Sequence, residues 1–278
     1  MRAPVVGLAG VLALAAVGRG QAPANPFFAF DNGTGRDQKI PLDVQAEMLK
    51  RTGYAGMGFS GALRIPEVLQ ALESRGLRLF SIYVPVRIDG EKPGYEAALP
   101  EAIRQLKGYG TVIWLTVQGR VADGDARAAA AVRAVADLAA ESGLRVVLYP
   151  HVGFHVERIE DAVRVCKLAG RANVGVTLNL AHFLAVGDEA NLEARLREAG
   201  PLLEMVSING ADHEGEWRKG DWSRLIQTLD RGEFDVGGLL RKLAAMGYRG
   251  PIGLQSYQVA GDIEENLRRS MAAWRRLH

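Results

Sequence analysis

Eight short β-rich runs, each followed by a segment with apolar residues at helical spacing, recur along the chain, and this alternation leaves few ways to fold. The clearest unit spans Leu144 to His182: RVVLYPHVGFH reads as a strand, VERIEDAVRVCKLAG as an amphipathic helix and VGVTLNLAH as a second strand. Two strands joined through a helix run parallel, so this is a βαβ unit. Both runs end in polar residues and a histidine, at the strand ends where parallel α/β folds place their chemistry.

The same pattern extends in both directions. NPFFAF, ending at Asp31 and Asn32, YAGMGFS, LRLFSIYVPV and TVIWLTVQ are the first four strands, and LEMVSING and PIGLQSY are the last two. The helices between them include LDVQAEMLKRTG, IPEVLQALESRG with Pro66 in its first turn and Gly76 after its end, a segment near Leu99 to Leu106, and DARAAAAVRAVADLAAESG. DEANLEARLREAG, with Asp188 as a cap, FDVGGLLRKLAAMG and IEENLRRSMAAWRRL complete the set. Eight strand–helix pairs in about 250 residues predict one α/β domain, a single (β/α)8 TIM barrel over residues 25–278. NGTG at Asn32 to Gly35 lacks the GxGxxG spacing and opens no helix, which argues against an open nucleotide-binding sheet.

Residues 1–24 read differently. Arg2, an apolar run from Ala3 to Val17 and small residues at Ala22 and Ala24 form the layout of a secretory signal peptide, cut near Ala22 or Ala24. The apolar run is shorter than the roughly 20 residues of a membrane span. A secreted or periplasmic location follows as the expectation. Removing the leader takes away Arg2 and Arg19 and no acid, so the formal charge falls from +2 to zero. A neutral chain offers no electrostatic reason to bind nucleic acid or a membrane. Cys166, the one cysteine, sits on the apolar face of its helix and reads as core. Nothing in the sequence fixes an oligomeric state.

In a barrel the strand ends converge on one mouth. Here they are Asp31 and Asn32, Phe59 and Ser60, Tyr83 and Arg87, Thr116 and Gln118, Tyr149 and His151, Asn179 and His182, Ser207 and Asn209, and Gln255 and Tyr257. Amides, hydroxyls and imidazoles outnumber carboxylates, a lining suited to a neutral polyhydroxylated ligand such as a sugar. His151, His155, His182 and His213 all fall at or after the ends of the fifth to seventh strands, and His151 and His182 are the candidate proton-transfer pair. The alternative for each is that it caps a strand or hydrogen-bonds a backbone carbonyl. The long polar loop after the seventh strand brings Asp212, Trp217 and Trp222, whose indoles either face a sugar ring or pin the loop to the rim.

VVLYPHVG, VGVTLNLAHFLAVGD, VSINGAD and LDRGEFDVGGLLRKLAAMGYRGPIGLQSY resemble the sugar phosphate isomerase/epimerase superfamily, the xylose isomerase-like TIM barrels, most strongly over Leu144 to Tyr257. The resemblance implies a divalent metal held by Glu, Asp, His and Glu at the ends of the last four strands, with carboxylates moving a proton next to a carbonyl. In this chain those positions carry Tyr149, Asn179, Ser207 and Gln255. Neutral dipoles do not compensate a dication for its lost water, so no metal of the family type and no other cofactor is expected. A rebuilt site from His151, His182 and either Asp212 or His213 is the alternative by ligand type.

Two functions compete. One is a metal-independent isomerase, epimerase or lyase acting on a carbohydrate, with His151 and His182 moving protons and Arg87 or Arg120 stabilising an oxyanion. Asp31, Tyr83, Arg87, Gln118, Tyr149, Asn179, Ser207, Asn209, Asp212, Trp217, Trp222, Gln255 and Tyr257 would hold the substrate. The other is a sugar-binding barrel without turnover. A metalloenzyme whose ligands lie one or two residues from the assigned register is a third reading.

Overall fold

The computed structural model describes residues 25–91 and 94–277; the expected leader over 1–24 lies outside them. The strands are β1 (Phe27–Phe30), β2 (Gly56–Ser60), β3 (Arg78–Arg87), β4 (Gly94–Tyr95), β5 (Val112–Gln118), β6 (Val146–Leu148), β7 (Val174–Asn179), β8 (Leu203–Ile208) and β9 (Ile252–Leu254). Eight of them are parallel and run β2-β1-β9-β8-β7-β6-β5-β3, and pairing of β2 with β3 closes the ring. The chain is a single α/β TIM barrel, as the alternation predicts. The ninth strand, β4, is a two-residue addition antiparallel to the upper end of β3.

The helices are α1 (Leu42–Thr52), α2 (Ile65–Glu73), α3 (Leu99–Gln105), α4 (Gly124–Glu141), α5 (Ile159–Ala169), α6 (Leu180–Ala185), α7 (Leu192–Ala199), α8 (Val236–Ala245) and α9 (Ile263–Leu277). Their apolar stripes pack on the outer face of the strands in one continuous core, and Cys166 is buried in it with its thiol directed at the Val174 carbonyl. None of the helices among the described residues is long and apolar enough to cross a membrane.

Two local expectations change. Asp188 does not cap the following helix with its side chain: its carboxylate accepts from Asn191 Nδ2 at 2.7 Å and Arg195 Nε at 2.7 Å, and a 3-10 turn precedes α7. The second change matters more. LAHFLA, whose first three residues read as the end of the strand VGVTLNLAH, is α6, which starts on the residue after β7. Six residues buried all round carry no amphipathic stripe, so periodicity has nothing to detect. Asn179 caps it, its side-chain oxygen accepting from the His182 main-chain N–H at 3.1 Å.

Inside the ring a second core contains Phe28, Phe30, Phe80, Trp114, Val147, Tyr149 and Met205. Aromatic rings this large fit within a barrel only where facing positions are small. Gly253 on β9 is one such position, since a Cβ there would come within 2.6 Å of both the Phe28 and Phe30 rings. Gly253→Ala is therefore expected to destabilise the fold by about 1–3 kcal/mol, the usual cost of overpacking. Urea unfolding measures it, and an unchanged midpoint would refute this packing argument.

Candidate functional site

The upper surface of that inner core is the floor of a cavity of about 280 Å³ at the carboxyl ends of the strands. Phe30, Trp114 and Tyr149 stack in series, with centroids 4.5 and 3.9 Å apart and planes within 8° and 5° of parallel. Tyr83 meets Trp114 and Tyr149 edge-on at 5.9 and 5.7 Å. The Trp114 indole N–H donates to Thr177 Oγ1 at 2.8 Å, which fixes the middle ring. Each such pair adds about 0.5–1.5 kcal/mol beyond its buried area, so the floor is stiff.

One wall is polar and charged. Asp31, fully buried after β1, accepts from the Ser60 N–H and hydroxyl, both at 2.8 Å, and from Arg36 Nη1 at 3.2 Å. Burial raises the Asp31 carboxyl above its ordinary value, against the opposing pull of the Arg36 charge and the Ser60 hydrogen bonds. Arg36 also donates from Nη1 to Ser60 Oγ at 2.6 Å and from Nε and Nη2 to Asp37 at 2.8 and 3.3 Å. That uses four of its five N–H bonds, and one on Nη2 remains. Beside this wall Asn32 donates to Gln255 Oε1, and Tyr257 completes it.

The opposite wall holds the histidines. The His151 and His182 rings lie 3.8 Å apart, with His151 stacked on Phe154 and His182 edge-on to Trp222 at 5.2 Å. Burial holds both imidazoles below their ordinary value of 6.5, and for His182, whose pKa lies well below it, the neighbouring His151 adds to the effect. Both are therefore neutral at neutral pH. His151 Nδ1 lies 2.8 Å from the Val152 carbonyl, an acceptor only, so Nδ1 carries the proton and Nε2 keeps a lone pair. His182 Nδ1 is buried without a partner.

Of the expected site residues, Asp31, Tyr83, Tyr149, His151, His182, Trp222, Gln255 and Tyr257 line the cavity. Several do not. Arg87 and Arg120 stand exposed at the rim, Arg87 paired with Asp89 at 2.6 Å and Arg120 3.7 Å from Glu157. Gln118 ends β5 level with Arg87, above the cavity. Asn209 is buried and donates to the Gly210 and Leu225 carbonyls, which pins the β8–α8 loop. Asp212 pairs with Arg224 at 2.9 Å. Trp217 donates its indole N–H to the Ala185 carbonyl and fastens the loop to α6. His155 contacts Asp125 Oδ1 at 3.0 Å and His213 contacts Glu189 at 2.8 Å, so the four strand-end histidines divide into a pair at the cavity and two outside it.

Asn179 and Ser207 lie just beneath the cavity lining. Asn179 Nδ2 donates to Tyr149 Oη and to Ser207 Oγ, both at 3.1 Å, so three of the four positions where the resemblance puts metal ligands are joined to one another. Gln255 interacts with the Tyr149 phenol as well. These groups do not fit a divalent metal: all four are neutral, and Asn179 turns its amide N–H bonds toward Tyr149 and Ser207. For the rebuilt alternative, Asp212 is paired with Arg224 and His213 with Glu189. Among the described residues no three His, Cys, Asp or Glu side chains gather closely enough to share an ion.

Arg36, Trp114, Phe30 and Ile226 also line the cavity and were not anticipated, and neither was a lining role for Asn32 and Ser60 beyond their place at strand ends. Trp114 was legible in principle, since it lies opposite Tyr83 in the β3–β5 ladder and so shares its inward face. Arg36 sits in an irregular loop after β1 and leaves no such signal.

Comparison with known proteins bears on the fold. The family described as xylose isomerase-like TIM barrel matches residues 46–277. Among solved structures, a 3-keto-D-glucoside 4-epimerase from E. coli superposes with a TM-score of 0.68 at 18% identity, covering 91% of this chain and 99% of that one. An L-ribulose 3-epimerase gives 0.70 at 16% identity, covering 92% and 94%. The IOLI protein, crystallised with a zinc atom, gives 0.69 at 14%, covering 91% and 97%. A comparison with curated protein sequences yields no match. With the closed eight-stranded ring and a family match over most of its length, the chain belongs to the xylose isomerase-like TIM barrels.

Proposed function

We propose that the cavity binds one neutral carbohydrate and transfers a proton on it without a divalent metal. The observation that carries this reading is the His151–His182 pair, neutral through burial and facing a cavity whose opposite wall presents Arg36. At about 280 Å³ the space lies at the lower end of small-molecule sites and accommodates one sugar ring. His151 Nε2 takes a proton from a carbon next to a carbonyl, and the electron pair moves onto the carbonyl oxygen. The free N–H of Arg36 stabilises that oxyanion, the role sequence reasoning gave to Arg87 or Arg120. His182 beside it lets the pair hold the single proton, since two charged imidazoles 3.8 Å apart are disfavoured. Trp222 offers a ring face to the apolar side of the sugar, and the stacked Trp114 and Tyr149 rings lie beneath it as the floor. Epimerisation of carbonyl-bearing sugars by the two structural neighbours supports this class of substrate. Export, with the mature chain starting near Ala22 or Ala24, belongs to the same proposal.

A second reading, a sugar receptor without turnover, draws on the closed hydrogen-bond network of Tyr149, Asn179 and Ser207. One experiment separates the two: L-ribulose, a 3-keto-D-glucoside and common ketoses are incubated with the protein in D2O and followed by NMR. Uptake of deuterium at carbon is expected. Saturable binding with no exchange would establish the receptor instead, and no binding would end both readings.

Once a reacting sugar is found, His151→Ala is expected to lower kcat by about a hundred- to ten-thousand-fold, the usual worth of a general base. Arg36→Met should cost about a hundred- to a thousand-fold, as for loss of an oxyanion donor. Full activity in either variant would remove that role. Because a base works unprotonated and burial lowers the His151 pKa, activity should persist below pH 6.5 before its acid limb begins. Stability changes with the same sign. Below 6.5 the unfolded chain takes up protons that the buried imidazoles refuse, so the contribution from His151 and His182 is full above 6.5 and is lost as pH falls through their lower folded values. Denaturation at stepped pH should show this decline, shallower in His182→Gln. An identical slope in the variant would contradict it.

A further inference from the structure

The junction of β6, β7 and β8 beneath the cavity is closed by an amide whose orientation the main chain dictates. The His182 N–H is a donor only, so the Asn179 atom 3.1 Å from it is the oxygen. The nitrogen end is therefore turned toward Tyr149 Oη and Ser207 Oγ. Reversing the amide would sacrifice the cap of α6, worth about 1 kcal/mol, and leave a buried N–H facing another N–H. On the next strand Gln255 Oε1 is occupied by Asn32 Nδ2 and the Ser256 N–H. A cation at this junction would meet amide hydrogens and lone pairs already in use.

We infer that Asn179 bars divalent cations from this junction and reserves it for uncharged groups. The inference deepens the proposed metal-free reading by assigning the exclusion to one residue and one orientation. Its physical content is directional. Aspartate is as good a helix cap as asparagine, so Asn179→Asp keeps the bond to His182 and puts a carboxylate oxygen where two N–H bonds pointed. The Tyr149 and Ser207 oxygens, released from accepting, then turn their lone pairs to the same point. Gln255→Glu adds a second charge.

Titration of the whole protein with Mn2+, read as loss of the free-ion EPR signal and accompanied by circular dichroism, tests this. Wild type and Asn179→Ala should show no saturable uptake, Asn179→Asp should gain it, and the Asn179→Asp, Gln255→Glu double variant should bind more tightly. Saturable uptake by wild type that Asn179→Ala abolishes would overturn the inference, and so would a folded double variant that ignores Mn2+. Should the charged variants fail to fold, saturable uptake by wild type that Asn179→Ala abolishes still overturns the inference. Sugar binding on the same preparations reports separately. A wild type that binds sugar but also takes up Mn2+ here loses this inference and the metal-free clause of the proposal but keeps the carbohydrate ligand, and one that binds neither loses only the sugar-binding proposal.

Discussion

The run of parallel rings Phe30, Trp114 and Tyr149 is the constraint on which the upper half of the barrel depends. Three strands that are not all neighbours, β1, β5 and β6, are tied across the interior by ring faces rather than by the hydrogen-bond ladder. The ladder fixes neighbours; the stack fixes the shape of the space between distant strands. Glycines such as Gly253 leave room for it, and Tyr149 carries its order upward to Asn179 and the imidazoles. A filled interior below and a rigid lining above are two aspects of the same packing.

Above the stack, charge is confined to one side. Asp31, Arg36 and Asp37 form a connected group on the β1 wall, while the β6 and β7 wall carries imidazoles that burial keeps uncharged. A polarised ligand meets a guanidinium on one flank and lone pairs on the other. The two walls therefore differ in charge before any guest enters.

The barrel was legible because strand runs ending in polar residues and helices ending in glycine are local signals, and the eight-fold repetition admits few topologies. The convergence of Asp31, Tyr83, Tyr149, His151, His182 and Gln255 followed from register alone. Prediction failed where tertiary pairing decides. Arg87 and Arg120 occupy strand-end positions in sequence, but Asp89 and Glu157 hold or draw them to the rim, whereas Arg36, from a loop without periodicity, is drawn inward by buried Asp31. Trp217 and Trp222 share a loop and a residue type, and only the accident of which indole finds the Ala185 carbonyl separates the fastener from the lining. His182 was found although α6, the helix that carries it, was not.

The loop between β8 and α8 forms part of the cavity wall through Trp222 and Ile226, and it is fastened at several points. Asn209 grips its far side, Gly210 and Gln227 exchange main-chain hydrogen bonds, and Gly232 lies so close to Ala211 that a Cβ there would fall 2.2 Å from a main-chain oxygen. These contacts tie both ends of the segment to the barrel top. Trp222 and Ile226 are thus already assembled in the wall before a guest arrives, and the contacts that guest makes there set its residence time.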